Sequence, residues 1–290
     1  VGGYGYSVDF PTTPGAFDPS YNAGRDGFLA RVSATGSALE LSTYLGSTGA
    51  DWIHSLALDS QGRLYATGWT ESNSFPTTPG AFDTSFNGSA DGYIVRLDAA
   101  LSTLQYGTYL GGAAWDAAYS IAVDSASQAL VAGETYSNGF PTTANAFDRS
   151  FNGGSDAFAV RLNAEGTALV TASFLGGTGI DQGWGLALDS YGQITVGGRT
   201  TSSNFPTTAD ALDSSFNGGE DAFLARLDTP GSVLQFSTYL GASGDERVVD
   251  AAVTAPGQVF LAGSTSSNSF PVTSGAYDTT YNGGDSDGFV

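Results

Sequence analysis

The sequence contains no cysteine, no methionine and no lysine, so all nine of its basic residues are arginine. Without cysteine there are no disulfides and no thiolate chemistry. A chain with no thiol, no thioether and no lysine amine offers little to oxidise. That suits a long-lived object outside the cell, and extracellular or cell-surface location is the expectation. Histidine occurs once, as His54, which leaves no second imidazole for a histidine metal site. Glutamate, a helix former, is scarce beside aspartate, which belongs to turns and oxygen-ligand loops. No apolar run nears the ~18 residues of a membrane-crossing helix. The 29 acids against 9 bases give a net charge of −20, which argues against nucleic acid, whose phosphates need clustered lysine or arginine. The same balance permits divalent cations.

The sequence does hold 41 glycines, an aromatic content of 12% and a strict period. Phe-Pro recurs at Phe10, Phe75, Phe140, Phe205 and Phe270, each 65 residues from the last. Arg31, Arg96, Arg161 and Arg226 keep that step, as do Asp18, Asp83, Asp148, Asp213 and Asp278. The units run 43–107, 108–172 and 173–237, with partial units at 1–42 and 238–290. One unit shows four strand-like runs: Trp52 to Leu58, Arg63 to Trp69, Gly92 to Leu97 and Thr103 to Leu110. They form two hairpins joined by a long proline-bearing segment that cannot be a central strand.

Four short antiparallel strands per repeat predict an all-β fold, a β-propeller of four-stranded blades with about five 65-residue repeats in a single domain, 1–290. A linear β-solenoid, with rungs of roughly 20–30 residues, fits the period less well. Leu56, Leu58, Leu64, Tyr65, Tyr93, Val95 and Leu97 are the expected core between blades. The ends fall inside strands, and the first residue is not methionine. The sequence is therefore expected to be cut from a longer chain; alternatively, its open strands pair with a neighbouring copy and build a filament.

The candidate site is the loop after Phe-Pro-Thr-Thr. It places oxygen side chains at Asp18, Ser20, Asn22 and Asp26; at Asp83, Ser85, Asn87 and Asp91; at Asp148, Ser150, Asn152 and Asp156; and at Asp213, Ser215, Asn217 and Asp221. Positions 1, 3, 5 and 9, with glycine at 6 in three copies, are similar to the calcium loops of EF-hands and of integrin-alpha-type propellers. With two carboxylates each and no closing glutamate, such loops would hold Ca2+ weakly, at ~10⁻⁴–10⁻³ M, in a structural role. The other reading is of Asx turns that bind no metal. The fifth copy, from Asp278, carries one inserted residue and is not expected to bind.

Internal copies serve as controls. His54 is matched by Tyr119, Trp184 and Val249, so the position wants bulk rather than a base. The arginine series is expected in ion pairs with the Asp51, Asp116, Asp181 and Glu246 series or with the Asp59 series. Nearly every acid recurs in each unit, which speaks against one catalytic carboxylate pair of the glycosidase kind. Asn87-Gly-Ser89 is the single N-glycosylation sequon.

The strings Thr238-Tyr-Leu-Gly-Ala-Ser-Gly-Asp245, Ser55-Leu-Ala-Leu-Asp-Ser-Gln-Gly62, Phe75-Pro-Thr-Thr-Pro-Gly-Ala-Phe-Asp83 and Phe151-Asn-Gly-Gly-Ser-Asp-Ala-Phe158 resemble the SBBP family, the bacterial and archaeal beta-propeller repeat. The resemblance implies a large secreted or surface protein and no particular reaction, substrate or catalytic residue. The expected function is non-enzymatic: a surface propeller serving architecture, adhesion or filament assembly, with a further copy of itself as partner. The alternative is a multivalent lectin-like binder of glycans or proteins, and the third, a polysaccharide-active enzyme.

Overall fold

Each repeat folds into strands because aspartate- and glycine-bearing turns cut its apolar runs at fixed points. Asp59 shows how. Its Oδ1 accepts the amides of Gln61 at 2.9 Å and Arg63 at 3.1 Å, while Gly62 takes a φ of 73°, a conformation that costs glycine little. Asp98 folds the second hairpin in the same way, accepting the amides of Ser102 and Thr103.

The computed structural model describes residues 1–254 and 257–290, with five antiparallel sheets. The first contains β1 (Gly2–Gly5), β2 (Asp26–Val32) and β3 (Leu39–Leu45); the second, β4 (Asp51–Leu58), β5 (Leu64–Thr70), β6 (Asp91–Leu97) and β7 (Leu104–Leu110). The third contains β8 (Asp116–Val123), β9 (Ala129–Thr135), β10 (Asp156–Leu162) and β11 (Leu169–Leu175). The fourth contains β12 (Asp181–Leu188), β13 (Ile194–Thr200), β14 (Asp221–Leu227) and β15 (Leu234–Leu240). The fifth contains β16 (Glu246–Val253), β17 (Val259–Thr265) and β18 (Asp287–Phe289). Strands in each sheet are ordered as they occur in the chain, and the four strands expected in the second repeat are all present within a residue or two.

The chain divides into two compact units. One comprises Val1–Val131, Thr135–Pro141 and Val160–Val170; the other, Ala132–Glu134, Thr142–Ala159 and Thr171–Val290. In the first unit β1 and β2 lie against β4, and β4 and β5 against β8; in the second, β12, β13 and β14 lie against β16. Sheets stacked in this way are propeller-like blades. Each buries apolar rows against its neighbour that it could not bury alone. The core between the first two sheets contains Leu29, Leu45, Ile53, Ala66, Tyr93, Val95 and Leu97, with Leu56 and Leu64 at its margin. Leu58, expected there, is instead 65% exposed. It is the last residue of β4, opposite Leu64 beside the Asp59 turn, where its side chain faces solvent.

The arginine series splits according to local cover. Arg161 pairs with Asp124, of the Asp59 series, at 2.7 Å. Arg31 pairs with Glu40 on the surface, Arg96 donates to the Ala164 carbonyl, and Arg226 donates to Thr195 and the Gly257 carbonyl. Among the described residues no arginine pairs with Asp51, Asp116, Asp181 or Glu246. Those acids are held by hydroxyls and amides instead.

Candidate functional site

The four aspartate loops are closed by their own hydrogen bonds. In the second repeat Asp83 Oδ1 accepts the Ser85 amide at 2.8 Å and Oδ2 accepts the Asn87 side-chain amide at 2.9 Å; the Asn87 backbone amide donates to Asp91 Oδ2 at 2.8 Å. The same three bonds join Asp18, Ser20, Asn22 and Asp26; Asp148, Ser150, Asn152 and Asp156; and Asp213, Ser215, Asn217 and Asp221. The fifth loop keeps them too, from Asp278 through Thr280 and Asn282 to Asp287. It absorbs its extra residue with Gly283 and Gly284 both at positive φ. These are Asx turns, in which asparagine presents its NH₂ to the first aspartate. Among the described residues no three acidic or histidine side chains are grouped to hold a metal ion.

The loop leaves one atom over. Oδ1 of Asp26, Asp91, Asp156 and Asp221 is buried without a hydrogen-bond partner in each of the first four repeats. Each of these aspartates neighbours the first acid of the following sheet: Asp51, Asp116, Asp181 and Glu246. Burial, with the neighbouring carboxylate adding to it, pushes Asp91 and Asp156 up to about 7 and Asp26 and Asp221 up to about 6. The facing acid is well supplied with donors. Asp116 accepts Thr135 Oγ1 on one oxygen, and Ser137 Oγ at 2.8 Å and the Gly112 amide at 2.7 Å on the other. Asp51 and Asp181 repeat that set of three; Glu246 has the threonine, Thr265, and the Ala242 amide.

A second region was not singled out by the sequence reading. One strand keeps glycine at Gly3, Gly68, Gly133, Gly198 and Gly263, yet the next residue differs in every copy: Tyr4, Trp69, Glu134, Arg199 and Ser264. So do Trp52, Ala117, Gln182 and Arg247, and Arg25, Ala90, Ser155 and Glu220. These positions meet at one end of each sheet. Trp52 pairs with Trp69, Gln182 with Arg199 and Arg247 with Ser264 in register, and single parallel bridges join Arg25 to Ala50, Ala90 to Trp115 and Glu220 to Asp245 at the same end. Residues 54, 184 and 249 sit at register breaks in their sheets. A bulge there re-aims the side chain, which explains why His54, Trp184 and Val249 share a place but no chemistry.

In the first unit this end is aromatic. The Tyr4 and Trp52 ring centroids are 3.6 Å apart, Trp52 and Trp69 5.1 Å, Trp69 and Trp115 6.1 Å, and Trp115 and Tyr136 5.7 Å. His54 lies between Trp52 and Tyr119, its ring 5.2 Å from the tyrosine. Arg25 caps the set, its guanidinium 4.3 Å from Trp52, 4.8 Å from Tyr6 and 5.2 Å from Tyr4. Tyr4, Tyr6 and Tyr136 are exposed and the three tryptophans half-buried. In the second unit the same end is polar. Glu220 bridges Arg199 and Arg247, Arg199 and Glu134 are joined through Gln182, and Ser155 donates to Glu134 at 2.7 Å.

A family model, Beta-propeller repeat (SBBP), matches residues 42–76. The matched stretch runs from the end of β3 through β4 and β5 to the Phe75-Pro76 corner. It supports a beta-propeller repeat protein in general. No curated protein matches the chain. In a beta-propeller repeat protein, positions that hold the fold recur, and those that do not are free to differ. The variable series could have been read from the sequence by aligning its five copies and asking which positions lose their identity between two that keep it.

Proposed function

We propose that the chain is a non-enzymatic extracellular scaffold that binds a surface glycan at the non-repeated end of its sheets. The observation that carries this reading is the aromatic group of the first unit: Tyr4, Trp52, Trp69 and Trp115 with Arg25 and His54, at positions where the other repeats place unrelated side chains. Tryptophan and tyrosine offer rigid faces and polar edges at small entropic cost, the chemistry that grips an apolar sugar face while bonding its hydroxyls. A multivalent lectin-like binder would carry equivalent sites in its repeats; this group occurs once, so the proposal is for a single site. The acids at the same end of the second unit are engaged by arginine, glutamine and serine, which favours a structural role over proton transfer. The absence of cysteine, methionine and lysine supports work outside the cell.

A glycan array probed with the purified chain and with Trp69→Ala tests the reading. Binding to a defined set of glycans that the variant loses supports it. An array with no signal rejects it, and unbranched fibres of the chain under the electron microscope would favour self-assembly instead.

A further inference from the structure

The four carboxylate pairs at the sheet junctions stand apart from the glycan reading and carry an inference of their own. Two acids meet at each junction, and among the described residues none of the eight is in an ion pair with arginine. Asp26 is 1% exposed, and Asp91, Asp156 and Asp221 are 0% exposed, each with its Oδ1 lacking a partner. Leaving such an oxygen unmatched in the protein interior is costly, and here it happens in four successive repeats.

These oxygens are aimed at a common place. A Cβ built on Gly111 would lie 2.7 Å from Asp91 Oδ1 and 2.9 Å from Asp116 Oδ2. On Gly176 it would lie 2.5 Å from Asp156 Oδ1 and 2.9 Å from Asp181 Oδ2; on Gly241, 3.0 Å from Asp221 Oδ1 and 2.6 Å from Glu246 Oε2. Gly46 has the same place in the first repeat, 2.6 Å from Asp51 Oδ2. Glycine is thus required in front of each pair, and at Gly111, Gly176 and Gly241 oxygens of both partners approach one point beside it.

We propose that each junction pair binds one calcium ion, through Asp91 Oδ1 and Asp116 Oδ2 in the second repeat and through Asp26 with Asp51, Asp156 with Asp181 and Asp221 with Glu246 in the others. The donors are all hard oxygens carrying two negative charges, which suits calcium and not zinc or copper. Only the last residue of each aspartate loop takes part. The serine and asparagine of the loop are committed to the Asx turn, and the second carboxylate comes from the following sheet. The ion therefore ties one blade to the next instead of filling a loop.

The test is calorimetric titration of chelator-treated protein with CaCl2, together with thermal melting with and without the ion. The expected result is binding heat that saturates at up to four equivalents and a rise in Tm. Asp116→Asn and Asp181→Asn each lose one equivalent, and Ser85→Ala loses none. Circular dichroism checks that the variants keep their strands. Absence of heat and an unchanged Tm in the unaltered chain overturn the proposal whatever the variants do, and leave a proton in place of the ion. Loss of an equivalent in Ser85→Ala but not in Asp116→Asn overturns it in favour of the loop.

Discussion

The hydroxyl of Tyr109 donates to the carbonyl of Ser72 at 2.7 Å and accepts the amide of Phe75 at 3.0 Å, which fastens the long proline-bearing segment to the outermost strand of its sheet. Tyr239 makes the same two bonds to Ser202 and Phe205, and Tyr44 to Ser7 and Phe10. Both backbone groups at Ser72 and Phe75 lose this partner in Tyr109→Phe. The variant is expected to lose about 1–3 kcal/mol of stability, measured by urea unfolding.

Arg31 and Arg161 share a repeat position but not a setting. The Arg161 side chain is 4% exposed against Asp124; that of Arg31 is 55% exposed against Glu40. Arg161→Ala leaves a carboxylate without its counter-charge in a mostly covered site and is expected to cost ~3 kcal/mol. Arg31→Ala is expected to change stability by no more than ~1 kcal/mol. Parallel denaturant curves of the two variants check the contrast; equal losses would contradict it.

The fold was legible because its determinants repeat: the 65-residue step, the Asp59-type turns and the alternation of Tyr93, Val95 and Leu97 all reappear as sheets, turns and core. The candidate site was legible only in part. The spacing of Asp83, Ser85, Asn87 and Asp91 marks a tight oxygen-lined loop, but spacing cannot say that Asn87 turns its NH₂ towards Asp83. Nor can it say that Asp91 faces Asp116, since that approach depends on how one sheet lies on the next. Leu58 was misplaced for a related reason: alternation assigns a side of the sheet but does not report where cover ends.

Stability should depend on pH in an uncommon direction when the protein is kept free of divalent ions. Asp91 and Asp156 are raised from 3.8 to about 7, and Asp26 and Asp221 to about 6, chiefly by burial. Between the unfolded value near 4 and these folded values the native state binds more protons than the unfolded chain. Stability from these groups is therefore full below about pH 4 and falls as pH rises through 6 and 7. Each titrating group removes about 1.4 kcal/mol per pH unit over its range. Melting in chelator at pH 5 and pH 8 should give the higher Tm at pH 5, and Asp91→Asn should reduce the difference. A Tm that climbs from pH 5 to pH 8 would count against this account.

Gly68 and Gly80 separate two uses of glycine. A Cβ on Gly68 would lie 1.7 Å from the Trp52 carbonyl oxygen, inside the β4–β5 pairing. Gly80 has φ of 79° and nothing within 4 Å. Gly80→Ala is expected to cost only the strain of a left-handed residue, ~1 kcal/mol. Gly68→Ala must displace backbone and is expected to yield little folded protein. Yields and melting curves of the two variants decide the point.

The amide of Phe17 donates to the carbonyl of Leu101 at 2.8 Å, that of Phe82 to Gly166 at 2.9 Å and that of Phe147 to Gly231 at 3.0 Å, so a loop repeatedly grips a hairpin 84 positions further along. Such stitching makes chain length a quantised variable. A whole module added at the end of the series extends it without disturbing any stitch already made. Growth by whole modules at the end of the series is then a change in size that leaves the existing seams intact.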